Sequence, residues 1–279
     1  MRSAFPFLAV ASWALAAPPL SAQGAPSRDV LLATTTSMQE TGVLDTLVPL
    51  FARATGYHLR YVAVGSGQAL RMGERGDADA VLAHAPAAEA AFMAGGNGLR
   101  RLVIATNYFT IAGPAADPAR VSAASSAADA LRRIADAGAV FVSRGDSSGT
   151  HQRELTLWRA AGGRPRWPGY LETGQGMTAT LLVADERQGY VLTDVSTFAT
   201  LRGRLDLVAL REEDRDLLNV YHIIEVNPAG RPKVNVAGAH ALADFLTSQQ
   251  VQDLLETFGT ERVGRPLFVP ARGVEPATP

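Results

Sequence analysis

The chain has 279 residues, 47% hydrophobic and 19% charged, with 26 basic against 27 acidic side chains and a formal net charge of −1. That length supports one large or two ordinary domains with a real core, and near-neutrality excludes a bulk electrostatic footprint for nucleic acid or anionic membranes. The absence of cysteine removes disulfides, thiolate catalysis, iron–sulfur clusters and cysteine zinc sites.

The first segment reads as an address. Arg2 gives a positive start, residues 5–17 are apolar, and Pro18-Pro19-Leu20-Ser21-Ala22 leads to a cleavage site after a small residue. Residues 1–22 are therefore expected to be a cleaved secretory signal, with a cut after Gly24 left open. The apolar run is shorter than the roughly 20 residues that a membrane span needs. The expected destination is a periplasm, so the function must suit a compartment without ATP.

From residue 29 onward apolar runs and helical patterns alternate. Residues 29–33 are strand-like, Val43, Leu44, Leu47, Leu50 and Phe51 recur at helical spacing up to Gly56, and residues 59–64 and 80–83 give two further strands. Such a β-α-β-α-β series builds a parallel sheet with ligands at the carboxyl ends of its strands. A second series follows, with strands at 139–143 and 189–193 and helices at 151–161 and 177–188. Two extended runs, 108–111 before Gly113-Pro114 and 219–226 before Asn227-Pro228, lie between the units. They predict paired hinge strands carrying the chain into a second lobe near 110 and back near 222; a single continuous sheet with these as inner strands is the alternative. The expected organisation is lobe I at 28–109 and 223–279 and lobe II at 110–222, finishing on helices at 239–246 and 249–258.

The chemistry gathers where strands run into helices. Thr34-Thr35-Thr36-Ser37 offers hydroxyls and free N–H groups at a helix start, a place that suits an anion. Val64-Gly65-Ser66-Gly67-Gln68 follows the neighbouring strand, and its glycines let backbone approach a ligand closely. Most informative is Ser143-Arg144-Gly145-Asp146-Ser147-Ser148-Gly149-Thr150-His151. There Arg144 supplies a positive fork, Asp146 stands close enough to hold it, and serine, threonine and backbone donors surround it, as a dehydrated oxyanion requires. Thr173-Gly174-Gln175-Gly176-Met177-Thr178 and Tyr190-Val191-Leu192-Thr193-Asp194 specify nothing alone.

Taken in order, TTTSMQETG (34–42), VGSGQAL (64–70), GDADAVLAHAP (76–86), SRGDSSGTHQRE (143–154) with Trp158 behind it, ETGQGM (172–177) and YVLTD (190–194) resemble the tungstate-binding TupA-type proteins. These are periplasmic solute receptors of ABC importers, and the likeness runs from about 29 to beyond 260. It implies an α/β, two-lobed type II periplasmic binding protein fold, each lobe a mixed sheet flanked by helices, with tungstate or molybdate in the interlobe cleft. It would set Thr36, Ser37 and Ser66 from lobe I against the oxyanion, and Arg144, Ser147, Ser148 and Thr150 from lobe II. Thr35, Gly67, Gly149, Gly176 and Thr178 complete the candidate set; Thr178 stands where the family has a further glycine and offers a hydroxyl instead. The implied partner is an inner-membrane ABC permease with its cytoplasmic ATPase. A monomer without enzymatic activity, cofactor or metal is expected.

Two other classes compete. Gly145-Asp146-Ser147-Ser148-Gly149 matches G-x-S-x-G, which would make Ser147 a hydrolase nucleophile served by Asp194 and His222 or His240. That scheme leaves Arg144 and the other donor loops without a task. Phosphate or sulfate receptors of the same fold are the nearer alternative. Hydrogen phosphate profits from a carboxylate that accepts its proton, and in the first two donor loops only Glu40 could serve. The five histidines are scattered without metal-ligand spacing.

Overall fold

The computed structural model describes residues 27–212 and 214–273, so the expected signal segment lies outside the described residues. The first unit runs β1 (Asp29–Thr35), α1 (Thr36–Glu40), α2 (Val43–Thr55), β2 (His58–Val64), α3 (Ser66–Arg75), β3 (Ala80–Ala83) and α4 (Pro86–Ala94). β1 pairs in parallel with both β2 and β3. Parallel strands are covered on both faces, which is why β3 reads Ala-Val-Leu-Ala with every residue buried. Gly42 and Gly56 hold left-handed backbone at the two ends of α2 (φ 77° and 74°), a conformation that a Cβ disfavours.

The long strand β4 (Gly98–Gly113) leads into α5 (Ala127–Asp136), β5 (Phe141–Ser143), α6 (Gly149–Ala160), β6 (Tyr170–Glu172), α7 (Met177–Glu186), β7 (Tyr190–Asp194), α8 (Val195–Leu201) and β8 (Val208–Arg211). β5 pairs in parallel with β6 and β7, repeating the logic of the first unit. The chain returns through β9 (Leu218–Val226) to α9 (Val236–Leu246), α10 (Gln249–Thr257), α11 (Thr260–Val263) and β10 (Val269–Pro270).

The expected paired strands are present as β4 and β9, which run antiparallel from Gly98↔Val226 to Tyr108↔Leu218. β4 starts ten residues earlier than its β-branched and aromatic stretch suggests. It then changes partners at once: Phe109 faces Asp194 of β7, and Gly113 faces Val208 of β8. Ladder order is β2-β1-β3-β9-β4-β7-β5-β6. The two readings of the sequence therefore describe one pair, connecting by partner choice and inner by ladder order.

Two sets of cores flank this seam. On one side Leu32, Leu47, Phe51, Tyr221 and Leu242 pack together between the sheet and α2 and α9. On the other Phe141 lies edge-on to Trp158 and stacked on Tyr170, with Ile134 and Tyr190 in the same cluster. Fully burying each such side chain stabilises by about 1.5–3 kcal/mol, so each unit carries its own core. Both are α/β layers with helices on the sheet faces.

Candidate functional site

One expectation needs correcting before the site is built. The helix expected near Gly42 is α2, capped by Gly42, but β1 extends through Thr35 and a separate five-residue α1 beginning at Thr36 intervenes. Thr35 becomes its N-cap, its hydroxyl accepting from Met38 N–H at 3.4 Å. α3 likewise starts directly at Ser66 after Gly65, α6 at Gly149 after the cap Ser148, and α7 after Gly176. All these helix starts lie at carboxyl ends of parallel strands, where unpaired N–H groups and helix dipoles collect.

The starts from the two units meet. A Cβ on Gly65 would lie 3.7 Å from Ser148 Cα, and one on Gly67 3.4 Å from the Ser147 carbonyl. A Cβ on Gly149 would collide with His84 at 2.8 Å, and one on Gly176 would sit 3.8 Å from Glu40 Oε1. Glycine is needed at Gly149 because the α6 N-terminus rests on the imidazole.

Arg144 is only 3% exposed, and its Nη2 bonds Asp146 Oδ2 at 2.5 Å. The other oxygen of Asp146 takes the Ser148 N–H at 3.1 Å. The in-loop clamp expected from the spacing is therefore formed, and it aims the guanidinium with both carboxylate oxygens engaged.

Among the described residues, five buried side-chain polar atoms have no hydrogen-bond partner in the protein: Thr34 Oγ1, Ser66 Oγ, Thr150 Oγ1, Arg144 Nε and Glu40 Oε2. Leaving a buried polar group unsatisfied costs about 1–3 kcal/mol, more when it is charged, so such groups call for an explanation. Three hydroxyls, on β1, α3 and α6, and a guanidinium on the β5–α6 loop make a donor set suited to a tetrahedral oxyanion.

The remaining candidates divide. Thr36 is half-buried at the first position of α1, and Ser148 is buried as the α6 cap, its hydroxyl accepting from His151 N–H at 3.3 Å. Ser147 is exposed, with φ 60°, and its N–H donates to His151 Nδ1 at 3.0 Å. Thr178 stands beside the Glu40 carboxyl, in the first turn of α7. Ser37 Oγ lies 3.2 Å from His84 Nε2 and 3.1 Å from Thr35 Oγ1.

His84 was not among the candidates, yet it organises this side of the site. It is buried, stacked on Tyr221 and Phe109, and burial lowers its pKa. Its Nδ1 faces Asn219 Oδ1 at 3.0 Å, while Asn219 Nδ2 donates to Asn107 Oδ1 at 2.9 Å and to Tyr221 Oη at 3.0 Å. A neutral ring with its proton on Nδ1 leaves Nε2 to accept from Ser37. The Ser37 hydroxyl proton then belongs to the imidazole, so the Ser37 side chain has no donor left for an anion. The clue in the sequence was position: His84 stands between β3 and Pro86 of α4, the same kind of junction as the other donors.

Thr34, part of the first donor run though not of the candidate set, is buried near the carboxyl end of β1, and Arg71, exposed on α3, comes within 3.5 Å of a Cβ on Gly67.

The hydrolase constellation does not form. Asp194 caps α8 by accepting from Thr197 N–H and Thr197 Oγ1, each at 2.9 Å, and from Ser196. His222 pairs with Glu89 at 2.8 Å, and the nearest acids to His240 are Glu225 and Asp244 at 3.4 Å. Among the described residues no group of three or more His, Asp or Glu is placed to hold a metal ion.

Residues 20–250 match the family model described as PBP superfamily domain. The tungstate-binding protein TupA of Peptoclostridium acidaminophilum is 41% identical over 243 residues, covering 86% of this chain and 85% of that protein. The solved tungstate-binding protein TupA of Desulfovibrio alaskensis G20 is 44% identical with a TM-score of 0.73, over 88% of this chain and 99% of that one. The structure described as the tungstate ABC transporter from Geobacter sulfurreducens is 42% identical with a TM-score of 0.74, over 81% of this chain and 97% of that one.

Proposed function

The chain belongs to the PBP superfamily and, within it, to the TupA tungstate-binding family, and from that premise we propose that it is an extracytoplasmic receptor for tungstate or molybdate. The observation that carries the reading is the buried Arg144, fixed by Asp146, together with the buried, unpartnered hydroxyls of Thr34, Ser66 and Thr150. In the open state the two lobes present half-sites to water. Closure brings Arg144 and the opposite donors around the ion, replacing its hydration by fixed hydrogen bonds. Each charge-assisted bond contributes about 1.5–3 kcal/mol, so several offset the lost hydration.

The ligand set is Thr34, Thr36, Ser66, Arg144, Ser148 and Thr150 with the backbone N–H groups of Ser37, Gly67 and Gly149. Thr35 and Thr178 support their loops, Gly176 admits Glu40, and Ser147 lies at the rim. The partner change in β4 supports a lobe boundary at 109, and the pairing of Leu218 with Tyr108 supports a return crossing at about 218 rather than 222. Asp146 has both oxygens engaged and so does not serve a protonated phosphate, which favours ions without a proton.

The ion is cargo, not a cofactor, and the protein performs no chemistry on it. The loaded monomer docks on a membrane permease whose cytoplasmic ATPase drives release. Periplasmic residence after removal of residues 1–22 accords with this role, and among the described residues no helix is long and apolar enough to cross a membrane. Titration calorimetry on protein stripped of bound anion, with tungstate, molybdate, sulfate and phosphate, tests the reading. Tight binding of the first two is expected; no heat with any of the four would end it.

A further inference from the structure

Glu40 is the group that the oxyanion reading leaves over: an acid within an anion site. It is the last residue of α1 in the first unit, yet its Oε1 lies beside Gly176, at the start of α7 in the second. Thr178, in the first turn of α7, stands beside this carboxyl. Its Oε2 is buried without a hydrogen-bond partner in the protein. A buried carboxyl oxygen to which nothing donates is a poor place for negative charge and a natural site for a proton.

We infer that Glu40 carries a proton on Oε2 when the lobes are closed and donates it as a hydrogen bond to the bound oxyanion, which makes capture a proton-coupled event and disfavours ions that bring their own proton. The inference rests on the receptor reading above. An ionised carboxylate at this place would repel a dianion, whereas the acid adds an O–H donor to those of Ser66, Thr34, Thr150 and Arg144, and O–H···O⁻ bonds are among the short, strong ones. The surroundings act in the same direction. Burial first, and then the Asp194 carboxylate at the start of α8, raise the Glu40 pKa; Thr178 and Arg144 lower it without reversing the rise. The other elements against α1 add little. Asp45 of α2 is exposed, His58 and Arg60 stand at the far end of β2, and Arg262 of α11 donates to the Thr41 carbonyl.

With the cleft open, Glu40 is hydrated and ionised at neutral pH, since an ordinary glutamate titrates near 4.3. Closure on the ion then takes up a proton. Because the closed form binds the proton more tightly, affinity is greatest at low pH and falls as pH rises, by up to about tenfold per unit between the open and closed pKa values.

The test is calorimetric titration of the stripped full-length protein with sodium tungstate from pH 6.5 to 8.5, in buffers of different ionisation enthalpy. Close to one proton taken up per ion is expected, with affinity declining as pH rises. In Glu40→Gln, whose amide cannot take up a proton, the proton uptake and the pH dependence it causes should vanish. Binding without proton uptake in the unsubstituted protein, or uptake that persists in Glu40→Gln, overturns this inference and leaves the receptor reading intact. Failure of tungstate to bind at all overturns both, and the proton count of the unsubstituted protein decides even if the variant does not fold.

Discussion

At the β5–α6 junction the Arg144 side chain is aimed locally, although Gly174 N–H holds its carbonyl: Asp146, two residues on, takes Nη2 with one oxygen and the Ser148 N–H with the other. At the β1–α1 junction the supporting chain is remote. Ser37 is held by His84, 47 residues away in sequence, His84 by Asn219, 135 away, and Asn219 by Asn107, 112 away. One half-site is thus a self-contained loop and the other is the end of a relay through β9 and β4. The self-contained loop fixes charge, and the relay couples its half-site to the strands that join the lobes.

If this contrast is right, changes at the local junction act on affinity and changes along the relay act on stability. The largest effect is expected for Arg144→Ala, which should weaken tungstate binding by about 100-fold or more in calorimetry with an unchanged circular dichroism spectrum. Unaltered affinity would remove the central contact of the local half-site. Next comes Gly149→Ala. The added methyl meets the His84 ring and carbonyl at 2.8 Å, a clash that exists only when the units touch. Overpacking of that kind costs about 1–3 kcal/mol, so affinity should fall about tenfold while the thermal midpoint of the ion-free protein holds.

The relay is probed through pH. Burial lowers the His84 pKa below its ordinary 6.5, so the folded chain binds fewer protons than the unfolded one. Stability is then full above pH 6.5 and is lost as pH falls below it, by up to about 1.4 kcal/mol per unit. Melting curves from pH 7.5 to 5.5 should show this loss in the natural sequence and a smaller one in His84→Gln; equal slopes would detach His84 from the relay. The smallest effect on stability belongs to Ser148→Ala, which also removes a proposed contact to the ion and so weakens binding as well. Removing the α6 cap should cost about 1 kcal/mol in urea unfolding, and a cost near zero would mean that the local junction does not depend on that cap.

The same contrast explains what the sequence disclosed. Arg144 and Asp146 could be paired from their spacing, and the glycines of 65–67 and 176 marked close approach, because those relations span a few residues. β1, β3 and β7 were legible from compact apolar runs of buried strand, and β2 from its alternation. His84, Glu40 and Thr34 acquire their roles only when α1, α4, α7 and β9 are brought together. A histidine before a proline or a glutamate ending a short helix has no local peculiarity to betray it. Ser147 errs the other way: it shares the composition of its loop, but a left-handed backbone leaves its side chain exposed. The length of β4 escaped notice because residues 98–107 carry charged and polar residues on the part of the strand covered by β9.

That strand also constrains how the molecule moves. Tyr108 is laddered to β9 and the very next residue to β7, so no slack segment intervenes between the two units on this side. Opening must be accommodated as torsion distributed along a stiff ribbon, in the manner of a twisted bar that stores and returns the strain. Such a joint permits a modest rotation about one axis and resists sliding, so the two sets of donors come back into the same register each time they meet.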